Sequence, residues 1–554
     1  MEARAKELIK RGDYLFSKKL PYDNLCQTIA ENFCPDRADF TQTLNLDDEF
    51  ADHLTTSFPL TAHRDLANAF GSLRPNDKQW FYMGTAREGD EDNMAKRWLE
   101  DKTRVMRRAM YDRVSQFTRA TKEGDRDYAA FGQCVISTEL NYSTATLLYR
   151  CWHIRDMSWC ENGAGIIDTY HRKWKPTAQM LSEIFKDKIH SKVKQKLEKE
   201  PYCEINCRHV VVPAEKYSAP SEGAYGATPD KKKWRTPYVS VYIDVDNQHV
   251  MEETGIWNTM YSIPRWATKS GSQYAWSPAT MISLPDARLL QSMSLTLLEA
   301  GEKAVNPPLV ATEEVVRSDV QAYAGGITWV DSAYDERLGE ALRPMTIDKS
   351  GLSFGLKMNE DTREMLSHGM FLNQLRMPQI TKEMTAYESS QVVAEWIRQA
   401  QPVIEPTNAE YNGQIAEITF DVLLRGGAFG SPYEIPQSLR NADIQFKFES
   451  PIRDSEEKQK AQIFLESKAA LAEAAQLDPT SAAMLDAKVA LRDVLSGIRT
   501  PATWVRSEKD MEQIVAQMQQ EQEMQKMMGE IANTGAIAEQ AGKGISALRE
   551  GGAI

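Results

Sequence analysis

The segment from Ser283 to Pro308, SLPDARLLQSMSLTLLEAGEKAVNPP, predicts a long helix with defined ends. Ser283 and Asp286 have the spacing of a capping box, and Pro285 falls in the first turn, where a missing N–H costs nothing. The helix must end before Pro307 and Pro308, because neither proline fits a helix interior. The sequence therefore predicts one helix that occupies most of this segment.

A second helix is predicted beyond a β-rich excursion. The excursion contains LVAT at 309–312, a Gly325-Gly326 turn and ITWV at 327–330, which are strand and turn signals. Asn359 is the predicted N-cap of the helix that follows, and Met377-Pro378 is its predicted end. Because two helices bracket the excursion, it should project from one end of a helical pair.

A third helix is predicted after a short loop. Thr385 and Glu388 form another capping box at its start. Pro402 and Pro406 should kink or end this helix, because each removes a backbone hydrogen bond. Beyond Pro451 the sequence is rich in Ala, Glu, Gln, Lys and Met, so helices are favoured there by propensity.

The N-terminal part changes its periodicity along the chain. Residues up to about Glu123 have apolar positions at helical spacing, so helices are predicted throughout. From Phe131 to Trp174 the period becomes two, and Asn162-Gly163 between two β-rich runs predicts a hairpin. Thr177 is the predicted N-cap of the next helix.

Strands are predicted again over 202–213 and 238–246, where β-branched and aromatic residues are frequent. The intervening run from Lys186 to Glu200 is dense in lysine and has Val193 and Leu197 at helical spacing. Such a run predicts a solvated helix rather than a nucleic-acid-binding patch. Helical and strand-rich stretches together predict the α+β class.

The composition excludes several classes of protein. The chain has 554 residues and a net charge of −13, and its aromatic content is too high for a wholly disordered chain. No apolar stretch approaches the roughly 20 residues that span a bilayer, and the N-terminal residues lack a secretion signal. Seven scattered cysteines predict free thiols. The acidic balance argues against a surface that grips DNA, because tight binding depends on Lys and Arg.

The strand-rich part contains potential metal ligands, namely Cys151, His153, Cys160, Cys203, Cys207 and His209. Their spacing lacks the tight pairs that are typical of structural zinc sites. The last three would share one face of a strand, where cysteine behaves as a small hydrophobic residue. The sequence therefore predicts no metal site.

Asp244 and Asp246 also share one face of a predicted strand, and paired carboxylates can hold two divalent ions for phosphoryl transfer. However, Asp-Asn at a strand end is a common turn, and no other acidic residue has a matching context. The phosphate-binding loop, the dinucleotide fingerprint and the nucleophile elbow are missing from the sequence. We therefore predict no catalytic residue and no cofactor. A metal-dependent phosphoryl-transfer enzyme or nuclease that uses Asp244 and Asp246 is the alternative.

Several segments, taken in order, resemble the head-to-tail connecting, or portal, protein family of short-tailed bacteriophages. They include IAENFCPDRADF at 29–40, GAGIIDTYHRKWKPTAQMLSEIF at 163–185, GIWNTMYSIPRWATKSGSQYAWSPATMISLPDARLLQSM at 255–293, AVNPPLVA at 304–311 and LDPTSAAMLDAKVALRDVLSGIRTPATWVRSEKD at 477–510. The likeness runs through nearly the whole chain. Family members commonly have Gly at the position of Ala275 and a more glycine-rich strand near Gly132, so the local turn geometry at these two places departs from the family.

The resemblance implies a portal-protein fold that assembles as a dodecameric ring at one capsid vertex, around a channel for DNA packaging and ejection. The implied parts are a wing over 1–282, a stem helix over 283–304, a clip over 305–345, a return stem helix over 346–377, a tunnel loop over 378–384, a wing or spine helix and strand over 385–450, crown helices over 451–530 and a disordered tail over 531–554.

The resemblance also implies site residues and partners. The tunnel loop that faces DNA would consist of Pro378, Gln379, Ile380, Thr381, Lys382, Glu383 and Met384. The clip residues that dock the packaging motor and the tail would include Asn306, Pro307, Pro308, Gly325, Gly326 and Trp329. The implied partners are identical subunits, a terminase, a tail adaptor, capsid and scaffolding proteins, and double-stranded DNA that passes without sequence specificity. The implied location is the virion, and the host cytoplasm during assembly, with no membrane contact and no enzymatic activity.

Overall fold

The structure of the protein, a computed structural model, describes most of the chain. The described residues are 2–45, 49, 51–86, 92–141, 143–218, 234–311, 316, 320, 329–331, 337, 342–345, 350–376, 386–440, 442–448, 463–471, 490–491, 494–495, 500, 504, 511, 513–518, 520–521 and 523–524. Helices and strands are mixed, as the predicted α+β class requires. The chain divides into two compact units, Met1–Trp80 with Met106–Ala428 and Phe81–Val105 with Phe429–Ile554.

The helices are α1 (Glu2–Phe33), α2 (Phe58–Ser72), α3 (Asn93–Met110), α4 (Phe117–Phe131), α5 (Ala178–Phe185), α6 (Ser191–Lys199), α7 (Ala214–Ser218), α8 (Pro278–Val305), α9 (Ser350–Gly369), α10 (Leu372–Leu375), α11 (Ala386–Pro406) and α12 (Gly413–Arg425). The strands are β1 (Phe81–Thr85), β2 (Val135–Asn141), β3 (Thr146–Trp152), β4 (Met157–Glu161), β5 (Ile167–Trp174), β6 (Cys207–Pro213), β7 (Tyr238–Asp244), β8 (His249–Ile256), β9 (Tyr261–Ser262), β10 (Leu309–Ala311), β11 (Leu342–Pro344) and β12 (Ile444–Phe448).

In the first unit, the described residues form a five-stranded antiparallel sheet in the order β4-β5-β6-β7-β8. Successive side chains of β6 point to opposite faces, because a strand has a period of two. Val210 and Val212 pack with Ala5 and Leu8 of α1 on one face. Cys207 packs with α5 and α6 on the other face. Helices therefore cover both faces of this sheet.

Two local predictions in this unit are confirmed. The hairpin at Asn162-Gly163 joins β4 to β5, and the Asn162 side-chain oxygen accepts hydrogen bonds from the N–H groups of Ala164 (2.9 Å) and Ile166 (3.1 Å). The hydroxyl of Thr177 accepts the N–H of Met180 at 3.3 Å, as an N-cap does. In both places a short polar side chain pairs with backbone groups that would otherwise lack partners.

A second sheet, in the order β3-β2-β9, packs with the helices of the same unit. The hydroxyl of Tyr149 on β3 lies 2.7 Å from the hydroxyl of Thr419 on α12. The rings of Phe70, Tyr128 and Trp266 pack together nearby, with centroids 5.3, 5.2 and 5.6 Å apart. Aromatic packing of this kind fixes α2 and α4 against the chain that precedes α8.

The second unit contains a strand where the sequence predicts helices. Residues 81–85 form β1, which pairs with β12 in antiparallel register from Phe81 opposite Phe448 to Thr85 opposite Ile444. The prediction of helices up to Glu123 is therefore wrong at this point. Its partner strand lies far along the chain, so the local period carries no signal of the pairing.

The first predicted helix begins earlier than expected. The observed N-cap of α8 is Ser277, whose hydroxyl accepts the N–H of Thr280 at 3.4 Å, and Pro278 occupies the first turn. Ser283, the predicted cap, lies buried inside the helix. Pro285 is accommodated because Met281, whose carbonyl loses its helical partner, lies on the exposed side.

The second predicted helix also begins earlier. Helix α9 starts at Ser350, and Asn359, the predicted cap, lies buried in its middle. Its packing against α8 overrides the local preference of Asn for a cap. Helix α9 ends at Gly369, and Phe371 adopts a left-handed conformation with φ 57° before the short helix α10. Met377-Pro378, the predicted end, lies outside the described residues.

The third predicted helix is α11, which begins one residue after the predicted cap Thr385. Pro402 lies within it, and the α-helix ends at Pro406, where a π-helix over Thr407–Asn412 leads into α12. Beyond position 451, residues 463–471 are helical, as expected. The tail predicted over 531–554 lies outside the described residues. Among the described helices, none is both long and apolar enough to cross a bilayer.

Candidate assembly and docking site

Helices α8 and α9 form an antiparallel pair that approaches closely at two glycines. A Cβ atom on Gly355 would lie 2.7 Å from Leu297 Cδ2. A Cβ atom on Gly369 would overlap the hydroxyl oxygen of Ser283. Because the partners on α8 run backwards as α9 runs forwards, these contacts fix the antiparallel register over most of both helices.

Polar side chains connect the middle of the pair. Asn359 Nδ2 donates a hydrogen bond to Ser294 Oγ at 3.2 Å, and both side chains are buried. The hydroxyl of Thr362 donates to the carbonyl oxygen of Met358 at 2.8 Å and lies 4.0 Å from Met293 Sδ. The shared face thus combines small and polar side chains, which specify one register more strictly than an all-leucine face does.

The outer sides of α8 expose large apolar side chains. Ile282 and Leu289 are seven residues apart and therefore share one side of the helix, with exposed fractions of 59% and 43%. Leu295 and Leu298 are three residues apart and share another side, with exposed fractions of 48% and 57%. Apolar surface is therefore left on two different sides of one helix.

The outer side of α9 carries a comparable stripe. Phe354, Met358 and Met365 are four and seven residues apart, so they lie above one another on one side of the helix. Phe354 is 70% exposed and Met365 is 57% exposed. A helix in an isolated globular protein normally buries such a stripe, so this face is a candidate interface.

A short β-hairpin follows α8 and returns the chain to α9. Strands β10 and β11 pair with Leu309 opposite Pro344, and the N–H of Met345 donates to the carbonyl oxygen of Pro308 at 2.8 Å. Asn306 forms the C-cap of α8, where its N–H donates to the carbonyl oxygen of Glu302 at 2.8 Å. The excursion over 305–345 therefore leaves and rejoins the helical pair at one place.

The structure places some of the predicted docking residues and not others. Asn306, Pro307 and Pro308 lie together where the hairpin leaves α8. Trp329 is exposed, next to the bridge that joins Val330 to Val316. Gly325 and Gly326 lie outside the described residues, as do all the predicted tunnel-loop residues: Pro378, Gln379, Ile380, Thr381, Lys382, Glu383 and Met384.

The alternative site at Asp244 and Asp246 is occupied by turn hydrogen bonds. The carboxylate of Asp244 accepts from the N–H of Asn247 at 3.1 Å and from its Nδ2 at 2.7 Å. The carboxylate of Asp246 accepts from the Nδ2 of Asn206 at 3.0 Å. Both carboxylates thus stabilise the turn between β7 and β8 and the neighbouring loop.

Cys207 and His209 of β6 also have structural partners. Cys207 packs in the apolar cluster beneath α5 and α6. His209 is buried between the hydroxyls of Tyr261 (2.6 Å) and Ser240 (2.7 Å), and burial holds its pKa well below the ordinary value. Within the described ranges, no group of three or more His, Cys, Asp or Glu side chains could hold a metal ion.

Sequence reasoning missed the residues that set the spacing of the helical pair. Gly355, Gly369 and Ser294 do not belong to a motif, and their roles depend on the register of α8 against α9. A glycine inside a helical pattern is the one signal available, because it indicates a possible close approach of backbones.

A family model matches nearly the whole chain. The model described as "Bacteriophage head to tail connecting protein" matches residues 5–505. Two curated relatives are similar over part of their length. The "Probable portal protein" of Bordetella phage BPP-1 is 25% identical over 387 residues, which is 68% of this chain and 66% of the relative. The "Portal protein" of Salmonella phage epsilon15 is 24% identical over 283 residues, which is 50% of this chain and 48% of the relative.

The chain thus spans less than two thirds of the length of each of these relatives. Two solved structures of gene transfer agent particles show a weak likeness. "Virion of native gene transfer agent (GTA) particle" has 7% identity and a TM-score of 0.32, and "Neck of empty GTA particle computed with C6 symmetry" has 9% identity and a TM-score of 0.33. Each likeness covers 75% of this chain and 86% of the other.

The names of the two curated relatives designate portal proteins, in agreement with the prediction that the chain is a connector. The resemblance seen in the sequence is confirmed by the family match over residues 5–505. The chain belongs to the bacteriophage head to tail connecting protein family.

Proposed function

We propose that this protein is the subunit of a closed ring that connects the head and the tail of a phage particle. The observation that carries the proposal is the apolar surface left on separate sides of the α8–α9 pair. In a cyclic assembly each subunit uses two different faces, one for each neighbour. Leu295 and Leu298 on one helix and Phe354, Met358 and Met365 on the other would be buried by such contacts.

The proposed ring is a dodecamer, in which α8 and α9 form the stem. The hairpin excursion over 305–345 is the clip, residues 378–384 are the tunnel loop, the sheets with the N-terminal helices form the wing, and the part beyond 451 forms the crown. The ring would sit at one capsid vertex. Double-stranded DNA would pass through it without sequence specificity, as suits a chain with a net charge of −13.

The proposed partners are a terminase during packaging, a tail adaptor afterwards, and capsid and scaffolding proteins at the vertex. Assembly would take place in the host cytoplasm, and the finished ring would remain in the virion. The clip would dock the motor and the tail through Asn306, Pro307, Pro308 and Trp329 and through the glycine turn at 325–326.

Ring assembly is tested by placing a charge on the proposed interface. Leu298→Glu puts a carboxylate where a neighbour would bury an apolar side chain, so we expect the large particle to be replaced by monomers in mass photometry. Ser17→Glu is the matched control, because Ser17 is an exposed polar residue on a helix outside the proposed interface, α1. Equal particle masses for the wild type and Leu298→Glu would contradict the proposed interface.

The clip assignment is tested by removing residues 306–345. Because the N–H of Met345 already bonds to the carbonyl oxygen of Pro308 at 2.8 Å, a short glycine linker can join the two helices without moving them. We expect the shortened protein to keep its particle mass and to lose binding to a terminase and to a tail adaptor. Loss of the particle itself would contradict the assignment.

A further inference from the structure

The segment 186–199, here called the basic lobe, concentrates positive charge on an acidic chain. It contains six lysines and two acidic residues, whereas the whole chain has a net charge of −13. Lys188 pairs with Glu252 at 2.6 Å and Lys194 pairs with Asp187 at 3.5 Å. The remaining lysines are exposed and have no ion pair within the described part of the chain; they are Lys186, Lys192, Lys196 and Lys199.

Helical spacing aligns three of these lysines. Lys192, Lys196 and Lys199 are four and three residues apart on α6, so they share its outer side. The opposite side of α6 packs through Val193 and Leu197 on the sheet. The basic lobe is therefore a fixed cationic ridge on a folded element.

Negative charge is concentrated in the segment that leads into α12. Residues 399–424 contain Glu405, Glu410, Glu417 and Asp421 and have no Lys or Arg. Glu410 and Glu417 of this segment line a cavity of about 340 Å³ together with Arg265 and residues of β5, β7 and β9, whereas Glu405 and Asp421 are not in its lining. We call this cavity with its rim the acidic cleft.

Only some of the carboxylates in the acidic cleft are satisfied. Glu410 accepts the N–H of Arg265 at 2.8 Å, and the guanidinium of Arg265 is itself paired with Glu161. Asp421, which does not line the cavity, pairs with Arg425 at 2.7 Å. Glu417 is exposed on the cleft wall, has no hydrogen-bond or ion-pair partner among the described residues, and has a pKa raised by partial loss of water.

The two charged surfaces lie at opposite ends of the same strand. The acidic cleft is lined by Ile167 and Tyr170 at the start of β5. The basic lobe packs against Trp174 at the end of β5 and Cys207 opposite it. An eight-residue strand spans about 25 Å, so one copy cannot bring the two surfaces together.

We propose that the basic lobe of one copy docks into the acidic cleft of the next copy around the ring, with Lys192, Lys196 and Lys199 facing Glu417. The proposal rests on the proposed ring. A cyclic head-to-tail contact needs two different, complementary surfaces on one chain, and these two are complementary in charge and lie toward opposite ends of β5. Pairing of lobe with lobe or cleft with cleft is disfavoured by like charge, so the arrangement also sets the direction of assembly.

The proposal is tested with charge reversals at both surfaces. The lobe variant carries Lys192→Glu, Lys196→Glu and Lys199→Glu, and the cleft variant carries Glu417→Lys. At low salt we expect each to slow ring assembly roughly tenfold, because electrostatic steering acts on association. The chain that carries both sets of changes should recover most of the wild-type rate, which a misfolded variant could not do.

A matched control reverses three exposed lysines elsewhere. Lys6→Glu, Lys10→Glu and Lys18→Glu change the exposed side of α1 by the same total charge, and this variant should assemble at the wild-type rate. A carbodiimide should also join lobe lysines to Glu417 in mixtures of ¹⁴N- and ¹⁵N-labelled protein, with one label on each side of the link.

The outcomes separate this proposal from the ring itself. If wild-type rings form but the lobe variant assembles as fast as the α1 control, lobe-to-cleft docking is wrong and the ring stands. The same holds if the lobe variant is slow and the combined variant shows no recovery. If crosslinks occur only between equally labelled peptides, docking between copies is likewise wrong. If the wild type forms no oligomer under any condition, both the docking and the proposed function fail.

Discussion

Asn359 on α9 and Ser294 on α8 form a buried side-chain hydrogen bond of 3.2 Å at the centre of the helical pair. No sequence motif links the two residues, and the sequence predicts Asn359 at a helix start. Their bond connects the helices on either side of the hairpin excursion. It therefore ties the position of the proposed clip to the packing of the proposed stem.

Removal of this bond should weaken the pair. Asn359→Ala leaves the Ser294 hydroxyl buried without its donor, which should lower the free energy of unfolding by about 1–3 kcal/mol. Ser294→Ala in the Asn359→Ala background should cost little more, because the two residues act as one pair. Thermal unfolding of the two single variants and the double variant checks this; strictly additive losses would show that the bond contributes nothing.

The glycines of the helical pair should respond in opposite directions to alanine. Gly301 on α8 faces open space, so Gly301→Ala should stabilise the helix by up to about 1 kcal/mol. Gly369→Ala should destabilise the protein, because the new methyl group overlaps Ser283 on the facing helix. Melting temperatures measured at one protein concentration compare the two; a gain for Gly369→Ala would mean that the helices do not approach closely.

A second glycine pair separates backbone strain from steric overlap. Gly132 and Gly165 both have positive φ, 71° and 76°, and both should lose about 1 kcal/mol with alanine from strain alone. At Gly132 the added Cβ would also overlap the backbone of Trp276, whereas Gly165 has open space. Gly132→Ala should therefore lower soluble yield and melting temperature well beyond Gly165→Ala, and equal effects would contradict the tight contact before α8.

The sequence predicts local structure correctly where a hydrogen bond between residues close in the chain decides it. Asn162 and Thr177 act through side-chain oxygens that bond to N–H groups a few residues away, so their roles can be seen in the sequence. The prediction of Ser283 as the N-cap of α8 is wrong because Ser277-Pro278 is an equally good helix start. Local spacing does not distinguish between the two positions. The sequence does not predict the strand over 81–85, because its partner strand lies far along the chain at 444–448.

The sequence predicts where the candidate site lies along the chain, but it does not predict which of its side chains are exposed. The prolines after residue 305 correctly indicated where α8 ends and the hairpin begins. The apolar stripe through Phe354, Met358 and Met365 is helical in spacing, but only the packed structure shows that α8 covers the other side of α9. Charge complementarity between the basic lobe and the acidic cleft likewise depends on which ends of β5 they occupy.

His171 should make stability depend on pH. It is buried against α1 beneath Arg208, and desolvation lowers its pKa from 6.5 to about 3. Below pH about 6.5 the unfolded state therefore binds a proton at His171, whereas the folded state does not. The free energy of unfolding consequently falls as the pH drops from about 6.5 to about 3, by roughly 1.4 kcal/mol per pH unit.

His171→Leu tests this dependence. Neither ring nitrogen of His171 has a hydrogen-bond partner in the described structure, so the substitution should cost little at pH 7. Urea unfolding at pH 7 and at pH 5 should show a smaller loss of stability on acidification than in the wild type. An identical loss in both proteins would mean that His171 does not titrate on unfolding.

The central claim is that the sides of the α8–α9 pair are interfaces between identical subunits around a channel. End-on electron microscopy of the purified protein, combined with native mass measurement, tests it most directly. We predict closed rings with a central opening and a mass that is a single large multiple of the 62.7 kDa chain. Solitary compact particles of one or two chains at every concentration, with or without partner proteins, would contradict it.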